Sequence, residues 1–328
     1  MTTFKEIRGT AIQVVSSDPT YPEEGQIWYN SSSGTLKGYI YATVNAWASG
    51  GAYPAGQAYV FAAGTQTATI VAGGETPTFS SASNSYNGTS WTATPSLNTA
   101  RSQMGSAGTQ TAGLSIGGYT GSNSAATESW NGSSWTSVNS LNTSRRDGGG
   151  FGIQTAAIFA GGVPSSITGV TESWNGSSWT TVNSLNTARR ALNSVGIQTA
   201  GLAIGGELAP GPTTTATESW NGSSWTSVNS LNSPRAKGAG FGSQTAAILG
   251  GGFLSPSPVP SAKNSTESWN GTSWTSLPAT MATARYGSGG TGTQNSGLSV
   301  TGNTGPAYTT ATEAWTGQAL QTKTITVS

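Results

Sequence analysis

The sequence contains no cysteine and no histidine, and only 8% of its 328 residues are charged. Without cysteine there are no disulfides and no thiolate chemistry. Without histidine the chain lacks the usual general base at neutral pH and a common metal ligand. Aspartate occurs only as Asp18 and Asp147, so a carboxylate-rich calcium loop is also missing. We therefore expect no catalytic residue, no metal site and no cofactor.

Long apolar runs and an excess of charge of one sign are absent as well. The net charge is +1, which provides no electrostatic attraction for nucleic acid or an anionic membrane. No stretch approaches the roughly 18 apolar residues of a membrane span, and the opening residues MTTFKEIRGT lack the apolar core of a secretion signal. We expect a soluble chain, made in a cytoplasm, that neither inserts into a membrane nor binds nucleic acid.

An internal repeat dominates what the sequence does contain. Each copy has an Arg, then G-x-Q-T-A-x(4)-G-G, a variable stretch, and T-E-S-W-N-G-S-S-W-T-S-V-N-S-L-N. The Gly pairs recur at 44 to 50 residues, a period that suits one four-stranded blade per copy. They fall at Gly73–Gly74, Gly117–Gly118, Gly161–Gly162, Gly205–Gly206 and Gly251–Gly252, with a degraded sixth copy at Thr301–Gly302.

Four short strands, A to D, can be predicted in each copy. In the third copy they cover residues 147–152, 156–160, 170–174 and 179–185. A Gln-Thr turn joins A to B and an Asn-Gly-Ser-Ser turn joins C to D, both typical of hairpins. No segment has a 3.6-residue period, so the fold class is all-β.

The repeat resembles the kelch motif, which has a Gly pair closing strand B, an aromatic residue on C, a Trp opening D and an Arg before the next A. A 44-residue period would also suit WD40 repeats, but their Gly-His signature needs the histidine that this chain lacks. Two departures from kelch are a shorter period and Asn in place of Asp after the aromatic residue. The positions are Arg101, Arg145, Arg189, Arg235 and Arg285; Trp130, Trp174, Trp220, Trp269 and Trp315; and Trp91, Trp135, Trp179, Trp225 and Trp274.

The resemblance implies a six-bladed kelch-like β-propeller of four-stranded antiparallel blades over residues 49–328. The first copy is looser, because Gln57 replaces the Arg, Asn84 the Glu and Tyr86 the first Trp. Degenerate terminal copies are expected where a ring closes.

The sequence offers two candidate segments for the strand that closes the ring. Leu320 aligns with the second Trp of earlier copies, so we predict that residues 320–327 form strand D of the sixth blade. In a competing arrangement the stretch around Trp47 supplies this strand, because Trp47 precedes Gly64 by the same interval as Trp179 precedes Gly196.

Residues 1–48 lie outside the repeat and form a second region, an extended arm followed by a predicted hairpin. Its strands would be residues 27–29 and 36–41 around the turn 30–34. A lone hairpin is marginally stable, so it must pack on the propeller or on another chain. We expect an attachment segment whose contacts come from Ile7, Ile12, Trp28, Tyr29 and Tyr39, and a propeller that folds without it. The alternative is that the hairpin caps its own propeller.

The run G-Q-I-W-Y-N-x(3)-G-x-L-K resembles a short module of bacteriophage virion proteins, notably tail-fibre-like ones. The T-Q-T-A-x(4)-G-G and W-N-G-S-S-W units likewise resemble repeats of marine phage structural proteins. These resemblances imply a virion protein of the tail-fibre or decoration type, made in the host cytoplasm. Its expected partners are other virion structural proteins, with host cell-surface glycan as a further candidate. They also imply several copies of the chain or a homo-oligomer.

Most repeated residues have structural interpretations. A Trp at the same place in every blade indicates packing between blades, and the series of Arg and Glu residues indicates repeated hydrogen bonds or ion pairs. The five Asn-Gly-Ser/Thr sequons indicate turns that accept positive φ. The Asn-Gly-Ser-Ser turn should place Trp130 opposite Trp135, and the Gly pairs should mark close backbone approach.

The working surface is predicted from where the copies differ. The A–B and C–D turns are nearly identical, while the B–C connections vary in length and content, which marks their face for binding. These connections are residues 75–82, 119–126, 163–169, 207–216, 253–265 and 303–311. The candidate binding residues on them are Tyr119, Glu207, Phe253, Leu254, Lys263 and Tyr308.

Three functions follow in order of preference. The first is a non-enzymatic virion protein that docks by its N-terminal segment and presents a propeller for protein or glycan binding. The second is a cellular kelch-type protein-interaction module. The third is a glycan-processing enzyme, which the missing histidine and the absence of a sialidase-like Asp-box disfavour.

Overall fold

The computed structural model describes residues 12–208, 211–255 and 261–325, except for the side chains of Tyr41, Ala319 and Leu320. The regular elements within these ranges are all β-strands, so the chain is an all-β protein. In chain order they are β1 (Gln13–Val15), β2 (Ile27–Asn30), β3 (Thr35–Ser49), β4 (Phe61–Gly64), β5 (Thr69–Ala72), β6 (Glu75–Thr76), β7 (Thr78–Phe79), β8 (Ser83–Tyr86), β9 (Trp91–Thr94), β10 (Gly105–Gly108), β11 (Gly113–Tyr119), β12 (Asn123–Trp130), β13 (Trp135–Val138), β14 (Gly149–Ile153), β15 (Ala156–Ala160), β16 (Thr171–Trp174), β17 (Trp179–Val182), β18 (Asn193–Ile197), β19 (Ala200–Ile204), β20 (Thr217–Trp220), β21 (Trp225–Val228), β22 (Ala239–Gly242), β23 (Ala247–Gly250), β24 (Phe253–Leu254), β25 (Ser261–Ala262), β26 (Thr266–Trp269), β27 (Trp274–Leu277), β28 (Gly289–Thr293), β29 (Ser296–Val300) and β30 (Thr312–Thr324).

The chain divides into two compact units, one of residues 46–315 and one that combines residues 1–45 with 316–328. The expected boundary at residue 48 differs from this division in two respects. Trp47 belongs to the larger unit, and the C-terminal residues group with the N-terminal segment.

The smaller unit contains the predicted hairpin, since β2 pairs antiparallel with β3 from Ile27↔Gly38 to Asn30↔Thr35. Strand β1 adds to β2 in parallel. The carboxylate of Asp18 accepts hydrogen bonds from Trp28 Nε1 at 3.1 Å, Asn30 Nδ2 at 2.7 Å and Lys37 Nζ at 2.8 Å. These three bonds hold the pKa of Asp18 at about 2, below its usual value. One carboxylate therefore ties the loop before β2 to both strands of the hairpin.

The larger unit is a β-propeller-like set of four-stranded antiparallel sheets, one for each sequence repeat. We call these sheets modules. Module 1 is β4-β5-β8-β9, module 2 is β10 to β13, module 3 is β14 to β17, module 4 is β18 to β21, and module 5 is β22-β23-β26-β27. The observed strands of module 3 agree with the predicted strands to within three residues at each end.

Module 6 corrects the prediction for the last repeat. Thr312–Thr324 is one continuous strand, β30, so residues 320–324 are not a separate strand D. The sheet order is β3-β30-β29-β28, and the end of β3 with Trp47 takes the fourth position. Within residues 46–315, Gly50 N donates to Thr312 O at 2.8 Å, and the ring of Trp47 lies 5.4 Å from that of Trp315. The competing arrangement is therefore the observed one.

The C–D turns place aromatic residues opposite each other, as predicted. Trp130 pairs with Trp135, and the same register recurs at Trp174↔Trp179, Trp220↔Trp225, Trp269↔Trp274 and Tyr86↔Trp91. In each turn the Asn side chain accepts two backbone hydrogen bonds, as Asn131 Oδ1 does from Ser133 N and Ser134 N at 2.9 Å. The sequons are thus turn residues.

The hydrophobic core lies between neighbouring modules. Leu114 and Ile116 of module 2 pack with Phe159, Trp174 and Trp179 of module 3, and equivalent clusters recur at other module boundaries. Indole nitrogens link the modules as well, since Trp179 Nε1 donates to Thr127 Oγ1 at 3.2 Å and Trp47 Nε1 donates to Thr266 Oγ1 at 2.9 Å. The Trp series therefore serves packing between modules.

Candidate functional site

The five repeated Arg and Glu residues form buried ion pairs. The charged atoms lie 2.5 to 3.1 Å apart in the pairs Arg101–Glu128, Arg145–Glu172, Arg189–Glu218, Arg235–Glu267 and Arg285–Glu313. Burial lowers the pKa of Arg189 and Arg285 to about 10, which leaves both protonated at neutral pH. Each Glu also accepts a backbone hydrogen bond from the preceding module, as Glu172 does from Asn142 N at 2.7 Å. These charges are structural, because they have partners within the fold.

Module 1 replaces this pair with a neutral network. Gln57 and Asn84 stand at the Arg and Glu positions and are both buried. Asn84 Nδ2 donates to Tyr53 Oη at 2.9 Å, and Tyr53 occupies the position of Leu97 in the next repeat. Burial raises the pKa of Tyr53 to about 12, so the hydroxyl remains neutral. The first repeat thus loses both charges together.

Outside the five ion pairs, residues 46–315 carry only seven charged residues, and these share one location. All lie either just before strand A of a module or in a B–C connection. They are Glu75, Arg146, Asp147, Arg190, Glu207, Lys237 and Lys263. The two kinds of position meet in space, because backbone bridges join Ala58 to Glu75, Ser102 to Tyr119, Arg146 to Val163, Arg190 to Glu207, Ala236 to Phe253 and Tyr286 to Asn303. We call this end of the modules the ring face.

Six backbone hydrogen bonds on the ring face form a closed circuit. One residue from each module takes part, and the N–H of each donates to the carbonyl of the previous one at 2.6 to 3.1 Å. All six have φ between 52° and 65°. In circuit order they are Tyr59, Gln103, Asp147, Ala191, Lys237 and Gly287, and the carbonyl of Gly287 accepts from the N–H of Tyr59. The backbone is thereby uniform while the side chains all differ.

Three residues of this circuit, one each from modules 1, 3 and 5, have side chains in contact with one another. Lys237 Nζ lies 2.8 Å from Asp147 Oδ1 and 3.8 Å from the centroid of the Tyr59 ring. Burial, together with nearby Tyr and acidic side chains, raises the pKa of the Tyr59 hydroxyl well above its usual value. At neutral pH the hydroxyl therefore stays protonated and can donate a hydrogen bond.

Beside this cluster lies a cavity of about 290 Å³, which is close to the lower limit of the volumes of small-molecule binding sites. Its lining combines cations, carboxylates, aromatic rings and an amide. The lining side chains include those of Tyr59, Gln103, Arg146, Asp147, Arg190, Glu207, Lys237, Phe253, Leu254 and Tyr286. Arg190 Nε pairs with Glu207 Oε2 at 2.9 Å, and the rings of Phe253 and Tyr286 stand 5.2 Å apart.

A second cavity, of about 240 Å³, runs between the first strands of all six modules. Its walls are mostly Gly, Ala, Val and backbone, and neighbouring strands approach closely here. A Cβ on Gly150 would lie 2.6 Å from Ser106 N, and one on Gly290 would lie 2.7 Å from Gly240 O. Because its walls offer few side-chain functional groups, this cavity is a weaker candidate than the ring-face cavity.

The predicted binding residues separate into three groups. Glu207, Phe253 and Leu254 line the ring-face cavity. Tyr119 lies next to it, because its ring stacks on the Arg146 guanidinium at 4.2 Å. Tyr308 donates to Glu75 Oε1 at 3.3 Å, and Lys263 is half-buried; neither lines the cavity.

The predicted attachment residues have mixed positions. Trp28 is fully buried and bonded to Asp18, so it stabilises its own unit. Tyr29 and Ile12 are 39% and 37% exposed, and Tyr39 is half-buried. Ile7 lies outside the described residues.

Sequence reasoning missed the residues just before strand A, although a signal for them exists. The two residues after the repeated Arg or its replacement read Ala-Tyr, Ser-Gln, Arg-Asp, Arg-Ala, Ala-Lys and Tyr-Gly in the six repeats. These pairs vary in chemistry without any change in length. A search for loops that vary in length therefore does not find these residue pairs.

Comparison with known proteins finds no family profile that matches this sequence and no curated protein that is significantly similar to it. Among the described residues, no helix is long and apolar enough to cross a membrane. The same residues contain no group of three or more acidic side chains arranged to hold a metal ion.

Proposed function

We propose that residues 46–315 form a closed six-bladed kelch-like β-propeller that acts as a non-enzymatic binding module, and that the ring face is its binding surface. The closed form is supported by links that pass through every module boundary. Gln154 Nε2 donates to Trp130 O, and the same bond from Gln66 to Trp315 O at 2.7 Å joins module 1 to module 6. Trp91 Nε1 likewise donates to Thr312 Oγ1 at 3.3 Å.

The observation that carries the binding function is the distribution of variable residues. The modules share almost the same strands, turns and buried ion pairs, yet the side chains at the ring face differ from module to module. Structural repetition alone favours equal residues at equal positions. Here the residues at the six equivalent positions all differ while the backbone is uniform. Such variation favours binding of a ligand that is itself asymmetric.

The biological setting that we propose is a virion. The smaller unit contains the segment that resembles phage virion modules, and it leaves Tyr21, Val14 and Tyr29 exposed for contacts with other virion proteins. The larger unit would face a host-surface glycan or a neighbouring protein. Mass spectrometry of purified virions tests this setting, and detection of the chain only in infected-cell extracts would contradict it.

Binding itself is tested with two matched double variants. Arg190→Ser with Leu254→Ser changes the ring face, while Ile153→Ser with Ile197→Ser changes two exposed residues at the far ends of β14 and β18. We expect the wild-type chain to bind host cells or a glycan array, the first variant to lose binding and the second to keep it. Equal binding by both variants would locate the site elsewhere.

A further inference from the structure

Arg146 differs from the other cations of the ring-face cavity because its charge is not neutralised. Lys237 pairs with Asp147 and Arg190 pairs with Glu207. In the described part of the chain, no carboxylate lies within ion-pair distance of Arg146. The polar lining of the cavity therefore has one excess positive charge.

The position of this guanidinium is fixed by groups outside the cavity. It stacks on the ring of Tyr119 at 4.2 Å, and its Nη1 donates to Asn123 Oδ1 at 3.0 Å. The amide of Asn123 is itself held by a hydrogen bond to Pro164 O. A guanidinium has five N–H donors in a planar fork, which matches the two oxygens of a carboxylate. Arg146 is thus held by two neighbours, and within the described residues Nη1 is its one nitrogen that donates a side-chain hydrogen bond.

The rest of the cavity suits a hydroxylated ring. The lining includes the rings of Phe253 and Tyr286, residues that are 6% and 7% exposed, so their edges can contact C–H groups of a sugar. Burial raises the pKa of Tyr286, so its hydroxyl stays protonated at neutral pH. Gln103 Oε1 is a buried acceptor in the lining that accepts no hydrogen bond from the described residues. The cavity lining therefore contains donors and an acceptor for sugar hydroxyls beside the aromatic ring edges.

We propose that the ring-face cavity binds an acidic saccharide unit, a sugar ring that carries a carboxylate, with Arg146 holding the carboxylate. This rests on the proposed binding function of the ring face and assigns its ligand class. A neutral sugar leaves the excess charge of Arg146 without a counter-ion, whereas a carboxylate neutralises it through two parallel hydrogen bonds.

The test is calorimetric titration of the full chain with three oligosaccharides of equal length: an oligouronate, its neutral hexose analogue and the sulfated neutral analogue. We expect the wild type to prefer the oligouronate. Arg146→Gln should weaken that binding about 10- to 100-fold, the effect of losing hydrogen bonds to a charged group. Lys263→Gln removes a cation of the same face that does not line the cavity, and it should leave the affinity within about twofold.

Several outcomes would overturn the acidic-saccharide assignment. One is that the wild type binds none of the three sugars, another is equal affinity for the uronate and neutral sugars, and a third is tighter binding of the sulfated sugar. Should Arg146→Gln lower the melting temperature, Tyr119→Leu keeps the charge but removes the stacked ring and should weaken uronate binding more than neutral binding. A further outcome separates the two proposals. If the wild type binds a neutral glycan, and the Arg190/Leu254 variant loses this binding while Arg146→Gln keeps it, the ring face is still a binding surface and only the acidic-saccharide assignment fails.

Discussion

At the scale of single residues, the five buried ion pairs contain ten of the 17 charged residues in residues 46–315. A buried Arg or Glu is costly unless its charge and its hydrogen-bonding groups have partners. In module 3 the charge of Arg145 pairs with Glu172 at 2.5 Å, and its Nη2 donates to Phe159 O at 3.2 Å. Removal of either partner leaves the other charge buried alone.

We therefore predict that Glu172→Ala lowers the free energy of unfolding by about 3–5 kcal/mol, as breaking a buried pair usually does. The triple variant Leu141→Tyr, Arg145→Gln, Glu172→Asn transplants the neutral network of module 1 into module 3. Because it leaves no buried charge, it should unfold at higher denaturant concentration than Glu172→Ala. Chemical denaturation followed by Trp fluorescence compares the three proteins. A triple variant less stable than Glu172→Ala would show that the network of module 1 depends on its own surroundings.

The glycines of the Gly pairs illustrate a second residue-scale constraint. Gly161 has φ of 69°, and a Cβ there would lie 2.6 Å from Arg189 O. Gly121 also has positive φ, 105°, but a Cβ there would meet nothing within 4 Å. The two positions separate backbone strain from steric crowding.

Gly121→Ala should cost about 1 kcal/mol from backbone strain alone, while Gly161→Ala should cost at least about 2 kcal/mol because the carbonyl must also move. Thermal melts of both variants check the difference. Equal melting temperatures would mean that the backbone around Gly161 shifts freely and that the Gly pair does not mark close approach.

At the scale of elements, the hairpin β2-β3 depends on a side chain outside its strands. Asp18 accepts three hydrogen bonds, and its pKa of about 2 lies below the usual 3.8. A carboxyl whose pKa is lower in the folded state stabilises that state above pH 3.8 and loses this effect as the pH falls towards 2. The side chain is 37% exposed, so solvent weakens the contribution.

We expect the backbone amides of residues 28–37 to exchange with solvent faster as the pH drops from 4 to 2, after correction for the intrinsic exchange rate. Asp18→Asn cannot ionise, so its corrected exchange should be constant over the same range. Hydrogen exchange measured by mass spectrometry provides both profiles. A wild-type profile as flat as that of Asp18→Asn would show that the carboxylate contributes nothing to the hairpin.

Sequence reasoning worked well for elements that short-range patterns specify. The hairpin of the smaller unit, the C–D turns and the Trp130↔Trp135 register follow from turn residues and strand alternation within about ten residues. The fourth strand of the last repeat was predicted wrongly because two segments of the chain fit the sequence pattern of that strand. Leu320 and Trp47 both fit the position, and a sequence alignment of repeats does not contain the packing between Trp47 and Trp315 that decides between them.

At the scale of the whole molecule, the proposed ring closure requires residues from both ends of the repeat region. Residues 46–49 of β3 complete module 6, and Trp47 Nε1 donates to Thr266 Oγ1 of module 5. A chain that starts at residue 49 therefore lacks the fourth strand of one module, contrary to the expectation that residues 1–48 can be removed without loss.

We predict that deletion of residues 1–48 lowers the melting temperature by more than 10 °C or prevents folding, whereas deletion of residues 1–33 keeps β3 and leaves the larger unit folded. Trp47→Ala in the full chain should destabilise by about 3–5 kcal/mol, as large-to-small core substitutions do. Circular dichroism melts compare the three proteins. If the chain from residue 49 melts like the full chain, β3 is dispensable and closure must occur by other contacts.

The sequence by itself determined the all-β class, the repeat period, the four strands of each module and the turns between them, because these depend on neighbours along the chain. It also located three of the cavity residues, Glu207, Phe253 and Leu254, through the variable B–C connections. Only the tertiary structure decided which strand completes module 6 and which side chains meet at the ring face. Tyr59, Asp147 and Lys237 are separated by about two modules each in sequence, and the circuit of backbone hydrogen bonds is what brings them together. Such convergence depends on contacts between modules that are distant in the chain, and no local pattern specifies those contacts.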